Sequence, residues 1–284
     1  MAAVLPVSPQ QTPQTPSPMT EKLRPHPRIS RSDRPGRRFE LASLKGAQVF
    51  AGPRVTADRP VPLIVHFHGA SWLIEDHIAR HFPHAVLITV NLGSGSSVYG
   101  RPFSDPQLFP GILDEASRTL HLTKGWSSVT LTGFSAGYGA VRAILRQEKN
   151  FALVNNVLLL DGMHASYSPD GKVLADGGTV NGADLDSFVK FAREAVAGRK
   201  TFIFTHSEIF PGTYASTTEC ADYLLTSIGL KARPKLKTGP LGMQQLSVAG
   251  ARHLHVIGYA GTTAPDHVDH LQAMPTWLRS IRIK

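Results

Sequence analysis

From about Arg37 to the C-terminus, short apolar runs rich in β-branched residues alternate with amphipathic stretches. Leu63-Ile64-Val65-His66-Phe67 is one such run, ending at His68-Gly69, and Ala85-Val86-Leu87-Ile88-Thr89-Val90 is the next. Val129-Thr130-Leu131-Thr132 leads into a glycine-rich turn, Val157-Leu158-Leu159-Leu160 stops at Asp161, and Phe202-Ile203-Phe204-Thr205 stops at His206. Leu254-His255-Val256-Ile257 is the last. Runs this short, apolar on both faces and closed by turn residues, predict strands buried within a sheet. Between them, Leu185, Phe188, Val189, Ala192 and Val196 recur at helical spacing, with Asp184 as the expected N-cap and Gly198 just past the end. A second helix is predicted over Thr218–Ile228, closed by Gly229, and a third is outlined by Val268, Leu271, Met274 and Leu278, with a kink at Pro275. Alternating strands and helices predict an α/β fold: a mostly parallel central sheet with helices on both faces, in one unit spanning residues 37–284.

The first 36 residues break this pattern. They are rich in Pro, Gln, Ser and Thr, with prolines at 6, 9, 13, 16, 18, 25, 27 and 35. Such a segment buries too little apolar surface to offset its chain entropy, and a disordered linker is expected. No long apolar stretch marks it as a secretory signal. As a spacer left when such a signal is trimmed, it favours an exported location, periplasmic or secreted, over the cytoplasm. No run approaches the roughly 18–20 apolar residues that cross a bilayer, so no membrane span is expected.

Charge changes the picture only locally. Much of the formal net charge of +9 comes from Lys22, Arg24, Arg28, Arg31, Arg34, Arg37 and Arg38. Aromatic residues do not interleave with these cations, so a solvated basic segment is expected and no nucleic-acid partner is inferred. An anionic surface is the other partner such a segment would suit. Cys220 is the sole cysteine, which leaves no intrachain disulfide and no cysteine-based metal site. Its setting in a predicted helix suggests a buried thiol.

The chemistry centres on Gly133-Phe134-Ser135-Ala136-Gly137. A Gly-x-Ser-x-Gly match alone is modest evidence, but here a predicted strand precedes it and a predicted helix, Tyr138–Gln147, follows it. That context is what a nucleophile elbow requires, since the serine must sit on a sharp turn with its hydroxyl exposed. A serine hydroxyl needs a base, and a base needs a group that fixes its tautomer. Two histidines follow the last strand, in Pro265-Asp266-His267-Val268-Asp269-His270. His267, at the start of the closing helix, is the better placed base, and His270, one turn on, is the alternative. For the acid, Asp161 ends an apolar strand, and Glu208, in His206-Ser207-Glu208-Ile209, follows the next one. Asp161 is the leading candidate and Glu208 the alternative. Oxyanion donors are expected from the backbone of Ala136 and from the His68–Ser71 turn, at Ala70 or Ser71.

In these features the chain resembles the α/β-hydrolase superfamily, in its esterase- and lipase-like branch. The resemblance spans residues 45–284 and rests on His68-Gly69, the elbow at 133–137 and a histidine before the closing helix. It implies an eight-strand-type sheet and a covalent acyl-serine mechanism with no metal and no organic cofactor. One departure stands out: Thr205-His206-Ser207-Glu208 lacks the aspartate usual at that strand end, which turns attention to Asp161, one strand earlier. The expected activity is hydrolysis of a small-molecule carboxylic ester. Amide or peptide hydrolysis on the same residues, and a non-catalytic binding protein of this fold, are the alternatives. The loop Gly93–Gly100 and the insertion Ser166–Gly182 are expected to border the pocket, and both are hydrophilic, which disfavours a large apolar lid.

Overall fold

A computed structural model describes residues 29–281. The proline-rich segment expected to be a linker lies, up to residue 28, outside the described residues. The strands are β1 (Arg37–Glu40), β2 (Ala47–Ala51), β3 (Val61–Phe67), β4 (Val86–Val90), β5 (Trp126–Phe134), β6 (Asn156–Leu160), β7 (Tyr167–Ser168), β8 (Thr179–Val180), β9 (Thr201–His206), β10 (Arg233–Thr238), β11 (Gln244–Ala251) and β12 (Leu254–Tyr259). The helices are α1 (Ser71–His81), α2 (Ser96–Gly100), α3 (Leu108–Thr119), α4 (Tyr138–Arg146), α5 (Glu148–Leu153), α6 (Asp186–Val196), α7 (Thr217–Ser227), α8 (Ala264–Gln272) and α9 (Met274–Leu278).

Ten strands form one sheet in the order β1-β2-β4-β3-β5-β6-β9-β12-β11-β10. The six central strands, β4 to β12 in that order, are parallel, and the two at each margin join antiparallel. Side chains alternate across the sheet, as the pleat requires. Leu63, Val65 and Phe67 enter one core with α3, α4, α6 and α7, while Ile64, Leu87, Leu158 and Ile203 enter the other with α1, α8 and α9. Burial on both faces explains why the central strands read as nearly continuous apolar runs. The marginal strands carry little such signal. Every residue of β10, Arg-Pro-Lys-Leu-Lys-Thr, is exposed, and its proline and cations suit an edge that must resist pairing with another chain. The sheet is thus wider than the eight-strand type the resemblance implied.

Two further expectations change in detail. Asp184 does not cap α6, which begins at Asp186 with Leu185 at the N-cap position. Its carboxylate turns instead to Ser166, accepting from the backbone N–H at 2.9 Å and the hydroxyl at 2.7 Å. The closing helix is broken rather than kinked, with Pro275 in the first turn of α9, where a missing N–H costs nothing. Two of the basic residues near the domain, Arg34 and Arg38, are paired with carboxylates. Asp76 on α1 accepts from Ser32 and Arg34, and Glu75 accepts from Arg38 at 2.7 Å. Cys220 is buried, and burial pushes its thiol up to about 12.

The turn from β5 into α4 presses against the end of β3. A methyl group on Gly137 would fall 2.1 Å from the Phe67 carbonyl oxygen, too close for any other residue without backbone movement. Gly137→Ala is therefore expected to destabilise the fold by about 1–3 kcal/mol. Urea denaturation checks this: the midpoint should fall at unchanged slope, and an unchanged midpoint would show that the contact is not tight.

Candidate active site

β5 ends at Phe134, and Ser135 follows with φ +47°, in the left-handed region that side chains rarely occupy. The chain then passes through a single tight turn, Ser135–Gly137, into α4. This strand, strained serine and helix form the elbow geometry expected from the sequence. The neighbouring strand end adjoins it closely: a Cβ on Gly162 would lie 2.4 Å from the Ser135 carbonyl oxygen. Gly162 directly follows Asp161, so the end of β6 lies beside the elbow.

Asp161 is also held at positive φ, +44°, and only 1% of its surface is exposed. Its N–H donates to the Thr205 carbonyl at 2.8 Å, which keeps β6 and β9 in register just past their regular pairing. The carboxylate collects donors from three elements. Oδ1 accepts from the Ser207 N–H at 2.8 Å and the Thr217 hydroxyl at 2.9 Å. Oδ2 accepts from the Ser207 hydroxyl at 2.7 Å and pairs with His267 Nδ1 at 2.7 Å. Burial by itself would push this carboxyl up. The electrostatic influence of His270 and His267, with hydrogen bonds from His267 and Ser207, holds it instead well below the usual carboxylate range.

His267 stands in the first turn of α8. A reciprocal cap fixes that turn, with Asp266 accepting from the Thr263 N–H and hydroxyl at 3.0 and 2.7 Å. Because a carboxylate only accepts, Nδ1 carries the proton, and Nε2 is left on the opposite edge of the ring. The ring packs on Phe134, centroids 4.5 Å apart, next to Ser135 in the chain. On its other side Phe134 stacks on His68 at 6.0 Å.

The two alternatives make other contacts. Glu208 is exposed and ties down the approach to α8, accepting from the Gly261 N–H at 3.2 Å. His270 is fully buried. Its Nδ1 meets the Thr205 hydroxyl at 2.8 Å, and its ring stacks on Trp277 at 6.1 Å.

The turn between β3 and α1 is braced from both sides. His68 and Gly69 take φ +70° and +119°. The Gly69 N–H donates to the Asn91 side chain at 3.1 Å, and the Asn91 amide donates to the Ser71 hydroxyl at 2.9 Å. Beneath them, His66 Nε2 donates to the His68 carbonyl at 2.7 Å, while its Nδ1 accepts from the Thr132 hydroxyl at 2.7 Å. Burial lowers His66 to about 3, so the ring stays neutral in this role. Ala70 and Ser71 thus open α1, where amide N–H groups have no partner within the helix. Ala136 sits in the elbow turn itself. Sequence reasoning missed Ser207, Thr217, Asn91, His66 and Phe134, because each acts through a partner distant in the chain.

A cavity of about 540 Å³ opens beside Ser135 and Ala136. The Gly93–Gly100 loop reaches it through Gly95 and Ser96, and the insertion after β6 through Ser166 and Asp170. Both segments therefore border the pocket, as their sequences suggested. Among the described residues no helix is long and apolar enough to cross a membrane.

The parallel sheet with helices on both faces and a serine elbow after its fifth strand is the α/β-hydrolase fold. No family profile matches the sequence, and no curated protein is similar to it in sequence. Solved structures are similar to it at low identity. A poly(3-hydroxybutyrate) depolymerase from Bordetella parapertussis is 14% identical over 83% of this chain and 84% of its own, with a TM-score of 0.48. An acetyl xylan esterase from Aspergillus awamori is 12% identical over 85% and 100%, at 0.48. An ester hydrolase from the metagenome of Lake Arreo is 12% identical over 87% and 84%, at 0.49. Likeness at this level adds nothing to the assignment, and fold and chemistry alike rest on the geometry above.

The buried carboxylate makes a pH prediction. Its folded pKa lies below the unfolded value of about 3.9. Its stabilising contribution is therefore complete above that value and is lost as the pH falls beneath it. Between about pH 4 and 2, the stability of the wild type should fall more steeply than that of Asp161→Asn, by up to about 1.4 kcal/mol per pH unit. Parallel slopes in urea titrations would mean that the carboxylate is not held ionised.

Proposed function

We propose that this protein is a serine hydrolase that cleaves carboxylic esters through an acyl-enzyme on Ser135. The observation that carries the reading is the 2.7 Å pairing of His267 Nδ1 with the buried Asp161, in a histidine packed against the residue that precedes the strained serine. In this reading Asp161 fixes the tautomer and stabilises the imidazolium that forms, and Nε2 of His267 accepts the proton from Ser135 Oγ. The alkoxide adds to the ester carbonyl, and the oxyanion is met by the Ala136 N–H with a second donor from Ala70 or Ser71. His267 then gives its proton to the departing alcohol. Water, deprotonated by the same histidine, attacks the acyl-serine and releases the acid. The strained backbone of Ser135 supports this role, since it holds the hydroxyl out of the sheet at no cost to β5 pairing.

The test is covalent labelling joined to mutagenesis. A fluorophosphonate should modify Ser135, and Ser135→Ala should abolish both labelling and turnover of p-nitrophenyl acetate in a folded protein. Labelling that persists in the variant would assign another nucleophile. His267→Ala is expected to cost about 10³-fold or more in kcat/KM, and His270→Ala far less; a dead His270→Ala beside an active His267→Ala would reverse the base assignment. Asp161→Asn should lower kcat by several orders of magnitude, as loss of the tautomer-fixing acid does in related triads, while Glu208→Gln should retain most activity. The opposite ranking would move the acid to the later strand end. Amide analogues run beside the esters identify the leaving group that the site prefers.

A further inference from the structure

The cavity beside Ser135 is walled by an ion pair rather than by aliphatic side chains. Arg142, on the α4 face that also carries Tyr138, approaches Asp184 Oδ1 at 3.4 Å. That spacing is wider than the roughly 2.7–2.9 Å of a tight charge-assisted hydrogen bond. The other oxygen of Asp184 is committed to Ser166, which fixes the carboxylate in place. A guanidinium donor and a carboxylate acceptor thus stand side by side with capacity for a guest. Burial raises Asp184, but the two hydrogen bonds from Ser166 and the charges of Arg142 and Arg146 outweigh it and keep the group ionised.

Aromatic faces complete the wall. The Arg142 guanidinium lies over the Tyr138 ring at 5.3 Å. His164 fills the space between Tyr138 and Tyr214, with centroids 5.5 and 4.9 Å away. Its Nδ1 donates to the Ala215 carbonyl at 2.9 Å, so Nε2 bears the lone pair, and burial keeps the ring neutral. Tyr214 is 43% exposed at the cavity rim.

These features select a guest by its chemistry. An alkyl chain would strip water from Arg142 and Asp184 and return nothing. An anion would meet Asp184, and a cation would meet Arg142. A hydroxyl both donates and accepts, so it satisfies the carboxylate, the guanidinium and the neutral imidazole in turn. The C–H face of a saturated ring suits an exposed tyrosine. We propose that this cavity receives an uncharged, hydroxyl-rich part of the substrate, so that the esters cleaved are those of sugars, polyols or hydroxy acids. The inference rests on the serine-hydrolase reading above and adds the substrate class to it.

Two matched pairs of esters test it. In one the hydroxyls belong to the alcohol: a methyl glucoside acetylated on its primary hydroxyl, against cyclohexylmethyl acetate. In the other they belong to the acid: methyl gluconate against methyl hexanoate. In one pair, kcat/KM should favour the hydroxylated member by about tenfold or more, and the pair that responds tells which side of the ester the cavity holds. Arg142→Met and Tyr214→Ala should each lower that ratio toward one, through a higher KM for the hydroxylated ester. Should either variant fail to fold, methyl glucoside and gluconamide, both uncharged, as competitive inhibitors of p-nitrophenyl acetate hydrolysis by the wild type give the same information. If neither hydroxylated ester is preferred and neither compound competes, while Ser135 still labels and p-nitrophenyl acetate is still cleaved, the substrate class is wrong and the serine-hydrolase reading stands. Preference for a monoester of a dicarboxylic acid over both pairs would likewise overturn it in favour of an anionic guest. Absence of labelling and of all ester cleavage would sink the underlying reading instead.

Discussion

A carboxylate removed almost entirely from water costs several kcal/mol unless donors replace its hydration, and the site is organised around meeting that demand for Asp161. The donors come from the loop after β9, from the first turn of α7 and from the first turn of α8. Each is held by its own local device. Ser207 follows directly on β9, and Thr217 opens a helix capped by the Ser216–Glu219 box. His267 stands one turn into a helix capped by Thr263 and Asp266. The buried charge thus joins three separate chain segments at one edge of the sheet, and the imidazole acquires its orientation as one member of that set.

The second constraint is steric. The elbow comes so close to the ends of β3 and β6 that only glycine fits at 137 and 162. This closeness brings the Ala136 amide and the β3–α1 turn onto the same side of the sheet. The Asn91, His66 and Thr132 contacts then stiffen that turn. Positive φ values at His68, Ser135 and Asp161 fall at the ends of three adjacent strands, β3, β5 and β6. Backbone strain of this kind persists where surrounding structure over-determines it, and here the parallel ladder on both sides of β5 supplies that support.

The cavity wall is built from a different part of the chain. α4 starts at the elbow, so its Tyr138–Arg142 face extends from Ser135 along the cavity, and the insertion between β6 and α6 supplies Ser166 and Asp184. Elements that seat Asp161 and His267 and elements that wall the cavity are thereby separate. The first set is central sheet and helix caps, while the second is a helix face and a polar insertion. Changes in the insertion can reshape the cavity without disturbing Asp161.

The central parallel strands and the elbow were legible in the sequence, because both are local: a strand buried on two faces is an apolar run, and the strand–serine–helix turn is written in adjacent residues. The outermost strands were not, since β1 and β10 are mostly polar and exposed, with Phe39 of β1 alone reaching the core. Asp184 read as a helix cap because its neighbours allow it, and only the fold brings Ser166 and Arg142 to it. For the carboxylate and the histidine expected beside Ser135, the sequence left two candidates each. Asp161 and His267 are 106 residues apart, and their meeting depends on β6 lying beside β9 in the sheet. His267 and His270 differ by less than one helical turn. Which of them reaches the carboxylate is set by how Leu271, Met274 and Trp277 seat the closing helices in the core. Local sequence therefore determined the serine turn and the strand and helix that strain it. Tertiary structure alone decided which acid meets which histidine, because strand order and helix phase are fixed by packing between segments that share no neighbourhood in the chain.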